Sequence, residues 1–130
     1  MKKTILDRKK AQREALKRSL ASSIILFGKA KTTPAKAKFV RPFLEKLINI
    51  AKERNLTNIR KVYQALPKKA AKKLLDDIAP RFKEKTGGFL RIVRLPYNRI
   101  GDGAEQVLIE LLIKTKPKKE KPKVKIEKKK

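Results

Sequence analysis

The side chains with chemistry to offer in this sequence are cations. Arg13, Lys17 and Arg18 form one group, Lys36, Lys38 and Arg41 a second, and Arg91, Arg94 and Arg99 a third. Guanidinium forks and ammonium point charges both suit phosphate oxygens. Over the 130 residues, 38 Lys and Arg oppose 12 Asp and Glu, a net charge of +26. A domain carrying that much like charge repels itself, so an anionic partner, nucleic acid or an anionic membrane, is implied. Few of the nine cations have an acid four residues on, and Arg41–Glu45 is an exception. Most of the charge therefore reads as unpaired within the chain and favours a polyanion.

Other chemistry is poorly supplied. The sequence contains no histidine and no cysteine, which removes the commonest general base, the commonest metal ligand and any thiol nucleophile. Asp76 and Asp77 are adjacent, but neighbours on a helix point about 100° apart, so a solvated or salt-bridged face is predicted rather than a carboxylate pair. Asp7, Glu14, Asp102 and Glu105 are scattered, and nothing groups them around a metal. Gly87-Gly88 lacks the lysine and hydroxyl of a phosphate loop and precedes a strand pattern, so it reads as a tight backbone turn. Ser19, Ser22 and Ser23 have no histidine to activate them. The expectation is a protein without catalytic function, metal, cofactor or small-molecule substrate.

Several elements must position the cations. Arg8 to Phe27 reads as a helix with Leu16, Leu20, Ile24 and Phe27 on one stripe, and Gly28 as its stop. "KAKT" (29 to 32) is short and polar, a brief edge strand at most. Thr33 then suits a helix cap and Pro34 the first helical position. Winding 35 to 53 at 100° per residue gathers Ala37, Phe39, Val40, Phe43, Leu44, Leu47, Ile48, Ile50 and Ala51 on one half. Pro42 falls on the other half with Lys38, Arg41 and Glu45. There it deletes a hydrogen bond and bends the axis from the outside. "NLTNIRKVYQALP" reads as a third helix with Leu56, Ile59, Tyr63 and Leu66 inward, and "KKAAKKLLDDIAPRF" as a fourth with Ala71, Leu74, Leu75 and Ile78 inward.

After residue 85 the pattern changes. "TGGFLRIVRL" reads as a strand, "PYNRIGDG" as a turn and "EQVLIELLI" as the hairpin partner, which together make an α+β pattern. The few aromatics read as core residues rather than stacking platforms. The 17 residues from Lys114 onward include ten lysines, two glutamates and two prolines, too polar to fold alone. That segment carries +8, which leaves +18 for residues 1 to 113, so the folded part is itself basic. The opening "MKKTILDRKKAQR" starts like a signal peptide without its apolar run. No stretch approaches the roughly 18 to 20 apolar residues of a membrane span. A soluble protein is expected.

In order and spacing the chain resembles the bacterial large-subunit ribosomal protein seventeen family. The likeness runs from "REALKRSLASSI" through "TTPAKAKFVRPFLEKLINIAK" and "AAKKLLDDIAPRF" to "TGGFLRIVRLPYNRIGDGAEQVLIEL", about residues 12 to 113. It implies a two-layer α/β sandwich of order α-β-α-α-α-β-β with a small mixed sheet, and it makes "KAKT" a strand. It further implies a structural constituent of the large ribosomal subunit, cytoplasmic, bound to ribosomal RNA near the nascent-chain exit and beside other ribosomal proteins. The pre-helix segment is shorter than the family's basic arm, and Gln12 stands where the family has a histidine, so that arm's RNA contacts do not carry over. The Lys-rich extension, 114 to 130, has no counterpart in the family's core and is expected to order only on assembly. The competing reading from charge alone is a nucleoid-type basic DNA-binding protein, which the ordered motifs do not fit.

Overall fold

The computed structural model describes residues 5 to 113. The Lys-rich extension expected to be disordered lies outside them, as do the first four residues. Four helices and three strands follow in the predicted order. Helix α1 spans Lys10–Phe27 and ends at Gly28, whose φ of +78° is the left-handed stop that glycine adopts without a Cβ penalty. Strand β1 is Lys29–Thr32 and helix α2 is Pro34–Lys52. Helix α3 is Leu56–Ala65. Helix α4 begins as Lys68–Lys73, widens into a π-turn at Leu74–Ile78 and finishes with Ala79–Arg81. Strands β2, Leu90–Asn98, and β3, Glu105–Leu111, form the closing hairpin.

The sheet order is β1-β3-β2, and both pairings are antiparallel. The sheet is thus antiparallel throughout and not mixed. β3 follows β2 by a hairpin and takes β1 on its other side, so no parallel crossover is needed. The last strand becomes the central one, and Val107, Ile109 and Leu111 project from it toward the helices. Leu111 N–H also donates to Gly28 O at 2.9 Å, which joins the end of α1 to the sheet.

The core lies between this sheet face and the helices. Ala37, Val40, Leu44, Leu47, Ile48 and Ala51 of α2 are buried, and Phe39, Phe43 and Ile50 pack around them, so the predicted half of that helix is the inner one. α4 buries Ala71, Leu74, Leu75 and Ile78 as its spacing predicts. Leu74, Leu75, Ile78 and Ala79 of the widened segment all face the core. Phe82 and Phe89 close that end with ring centroids 5.0 Å apart, tilted by 58°.

Several local expectations are corrected. Phe27 is 77% exposed at the end of α1, while Ala21 and Ile25 join Ile24 inside. Leu56 and Tyr63 of α3 face outward, whereas Ile59 and Leu66 pack inward as expected and Val62 joins them. Tyr97 is exposed too, so the aromatics are not all core residues. Thr33 precedes α2 with an extended backbone but makes no side-chain cap bond; its carbonyl accepts from Ala37 N–H at 3.0 Å. Finally, β2 runs on through Pro96 and Tyr97, with a break in register between Arg94 and Asn98. The turn is confined to the residues between Asn98 and Glu105. An edge strand tolerates a proline whose missing N–H has no ladder partner to lose.

Candidate nucleic-acid interface

The structure separates the nine candidate cations into those that hold the fold and those that face away from it. The α1 group is largely engaged by the chain itself. Arg13 Nη1 donates to Arg8 O at 2.7 Å and secures the turn before the helix. Lys17 Nζ lies 2.9 Å from Glu14 Oε1 and within 5.3 Å of the Phe43 ring centroid and 5.5 Å of that of Phe39, between α1 and α2. Arg18 Nε donates to Ala65 O at 3.1 Å, at the last turn of α3. A cation on the unsatisfied carbonyls of a helix C-terminus also opposes the negative end of its dipole. Lys73 does the same for α1, donating from Nζ to Leu26 O at 2.6 Å.

The second group begins α2. Arg41 Nε pairs with Glu45 Oε1 at 3.3 Å, one turn on. Lys36 and Lys38 have no acidic partner among the described residues, and Lys38 is exposed on the stripe that carries Arg41 and Pro42. That stripe is the outer face of the helix, opposite the buried half.

The third group lies on the hairpin. Arg91 Nη1 is 3.8 Å from Glu110 Oε1 across the β2–β3 pair. Arg94 is exposed and has no acidic partner among the described residues. Arg99 forms a two-bond fork with Asp102 at the turn, and Asp102 Oδ1 also accepts from Ala104 N–H at 3.2 Å. The Arg99 hydrogen bond, with the Ala104 amide second, holds the Asp102 carboxyl well below the usual carboxylate range and pushes Arg99 up. This pair shapes the turn.

Pairing is therefore denser than a search at i+4 reveals. Lys17, Arg41, Arg91 and Arg99 have acidic neighbours, two of them at i±3 and one across strands. Asp76 and Asp77 are salt-bridged to Arg54 at 2.7 Å and Arg81 at 2.6 Å, the ordinary role predicted for them. Gly88, with φ of +65°, makes the predicted backbone turn.

Sequence reasoning missed three residues. Lys29 and Lys31 alternate with Ala30 and Thr32, so both project from the sheet face turned away from the helices. Lys29 stands in register with Glu110, and Glu110 with Arg91, a charged row across all three strands. Lys31 Nζ donates to Tyr97 Oη at 3.2 Å and lies 4.6 Å from that ring's centroid. The signal for the two lysines was present in the period of two in "KAKT". The Tyr97 contact, 66 residues distant in sequence, left no local signal. A separate cleft of about 580 Å³ between α1, α2 and α3 has Phe43 and Leu47 in its lining, with Arg18, Lys46 and Lys61 beside one acid, Glu14. It assembles no acid–base pair.

Fold and surface together define a small, strongly cationic α+β protein whose charged side chains divide between its own helix ends and the outside. The family model described as Ribosomal protein L17 matches residues 16–112. A large ribosomal subunit protein bL17 from Sulfurihydrogenibium sp. is 54% identical over 106 residues, which cover 81% of this chain and 88% of that protein. The bL17 of Hydrogenobaculum sp. is 45% identical over 113 residues, 86% of this chain and 96% of its own. The bL17 of Thermus thermophilus is 41% identical over 108 residues, with 82% and 92% covered. The chain belongs to the ribosomal protein L17 family. It is a structural component of the ribosome's large subunit, acts in translation in the cytoplasm, and is not an enzyme.

Proposed function

We propose that the protein binds large-subunit ribosomal RNA through phosphate and shape contacts, near the nascent-chain exit and beside other ribosomal proteins. The observation that carries this reading is charge that the fold does not use. Residues 1 to 113 hold +18, yet the described residues form six ion pairs. Lys36, Lys38 and Arg94 project without an acidic partner among the described residues. A preformed surface of this kind gains affinity by releasing the counterions condensed on RNA. Arg13, Lys17, Arg18, Arg41, Arg91 and Arg99 belong to the proposed surface with partners already in place, so they position its backbone more than they add free charge. The location near the exit rests on the family resemblance.

Residues 1 to 113 serve as the RNA-binding domain in this reading, and 114 to 130 as a basic accessory. Fractionation of cell lysate on a density gradient tests the whole proposal. The protein is expected with large subunits, retained through moderate salt washes, and within crosslinking reach of emerging nascent chains. Recovery on chromosomal DNA or membranes, and absence from purified subunits, would overturn it. Truncation after residue 113 separates domain from extension: the domain is expected to enter subunits, with weaker retention in salt.

A further inference from the structure

The helices cover one face of the sheet. On the other face alternate residues project from all three strands: Lys29 and Lys31, then Leu108 and Glu110, then Arg91 and Val93. Val93 is 40% exposed and Tyr97 53% exposed, at the surface of an otherwise cationic patch. The break in register between Arg94 and Asn98 sets Leu95, Pro96 and Tyr97 against Gln106 alone, and the Lys31 contact puts the tyrosine on this face. Lys31 reaches over β3 and holds the phenol by its hydroxyl at 3.2 Å, nearer than the ring centroid at 4.6 Å. The tie holds the ring, and the residue stays half-exposed. The one acid in the patch, Glu110, is already beside Arg91.

We propose that this open sheet face binds an unpaired stretch of RNA, with one base stacked on Tyr97 and adjacent phosphates on Lys29, Lys31 and Arg91. The inference rests on the RNA-binding reading above and adds where and in what form the RNA is held. A duplex keeps its base faces stacked inside, so an exposed aromatic ring has nothing to stack on there; unpaired nucleotides present both ring face and phosphates. Lys29 and Lys31 lie about 6.6 Å apart along β1, which lets both follow one extended backbone. Charge complementarity favours RNA over a protein occupant, because lysine is depleted at protein–protein interfaces.

The test is titration of the full chain against a labelled single-stranded RNA of about ten nucleotides and a blunt duplex of equal length, at one salt concentration. Tyr97→Ala is expected to weaken single-strand binding roughly 5- to 100-fold and to leave duplex binding unchanged. Tyr97→Phe keeps the ring and is expected to retain most of the affinity, and Tyr63→Ala serves as the control for loss of a tyrosine elsewhere. Circular dichroism melts confirm that each variant folds. If Tyr97→Ala binds single strands as wild type does, or loses both RNAs equally, the stacking site is wrong while RNA binding stands. If the wild-type chain binds neither RNA, both readings fall.

Discussion

Arg18 on the first helix donates its Nε proton to the carbonyl of Ala65, the last residue of the third, at 3.1 Å and 47 positions away in sequence. A residue that looked like a phosphate ligand therefore ends a helix inside its own fold. Arg18→Ala is expected to destabilise the protein by about 1 kcal/mol, the worth of one exposed charge-assisted hydrogen bond. Urea denaturation measures it as a lower midpoint at unchanged m. Affinity for RNA at fixed salt should change less than in the next case.

Lys36 and Lys38 behave oppositely. The double variant Lys36→Ala/Lys38→Ala is expected to keep its urea midpoint and to bind RNA more weakly. The slope of log K against log salt should become shallower by roughly 1.5, since each lost phosphate contact removes about 0.7 to 0.9. An unchanged slope would remove these two lysines from the interface.

Pro42 sits exposed within the helix Pro34–Lys52 and denies the Lys38 carbonyl its usual N–H donor. Pro42→Ala restores that bond at the cost of a freer unfolded chain, for a net gain of roughly 1–2 kcal/mol. A raised denaturation midpoint checks it; a lowered one would mean that the ring itself makes a stabilising contact.

The Asp102 carboxylate is stabilised by Arg99 and by the Ala104 amide, so its folded value lies below that of an unfolded aspartate near 3.9. A group shifted downward contributes stability above its unfolded value and loses it as pH falls through the folded one. The β2–β3 turn is thus expected to remain unchanged from neutral pH to about 4, and to loosen only in stronger acid. The carboxyl carbon shift of Asp102 in NMR reports this directly. Titration at the value of a free peptide aspartate would contradict it.

The sequence was most legible where a residue's neighbours along the chain decide its place. The inner half of α2 follows from helical phase because α2 packs on α1, α3, α4 and the sheet, and a wide apolar arc answers that demand. Pro42 on the outer side follows from the same winding. For α3, a ten-residue helix with one fully buried position, Val62, the phase was ambiguous, and the bulkier Leu56 and Tyr63 misled. Phe27 looked like the end of a core stripe, but Gly28 turns the chain away just there. The roles of the cations were least legible. Lys17 is held by an acid three residues back and by two rings on another helix, and Arg18 and Lys73 by carbonyls 47 residues away. Nothing in a lysine's local surroundings distinguishes a helix-end partner from a phosphate ligand; only the packing does.

Placing β3 in the middle leaves β1 and β2 as two free borders of the sheet. Such borders invite strands from other molecules to add on. Here β1 is four residues long with Lys29 and Lys31 on it, and β2 carries Pro96 and a break in its register. Short length, like charge and a proline are the features that deter such addition. A newly synthesised copy awaiting a subunit therefore has built-in resistance to clumping with its siblings, supplied partly by the same lysines that are proposed to meet RNA.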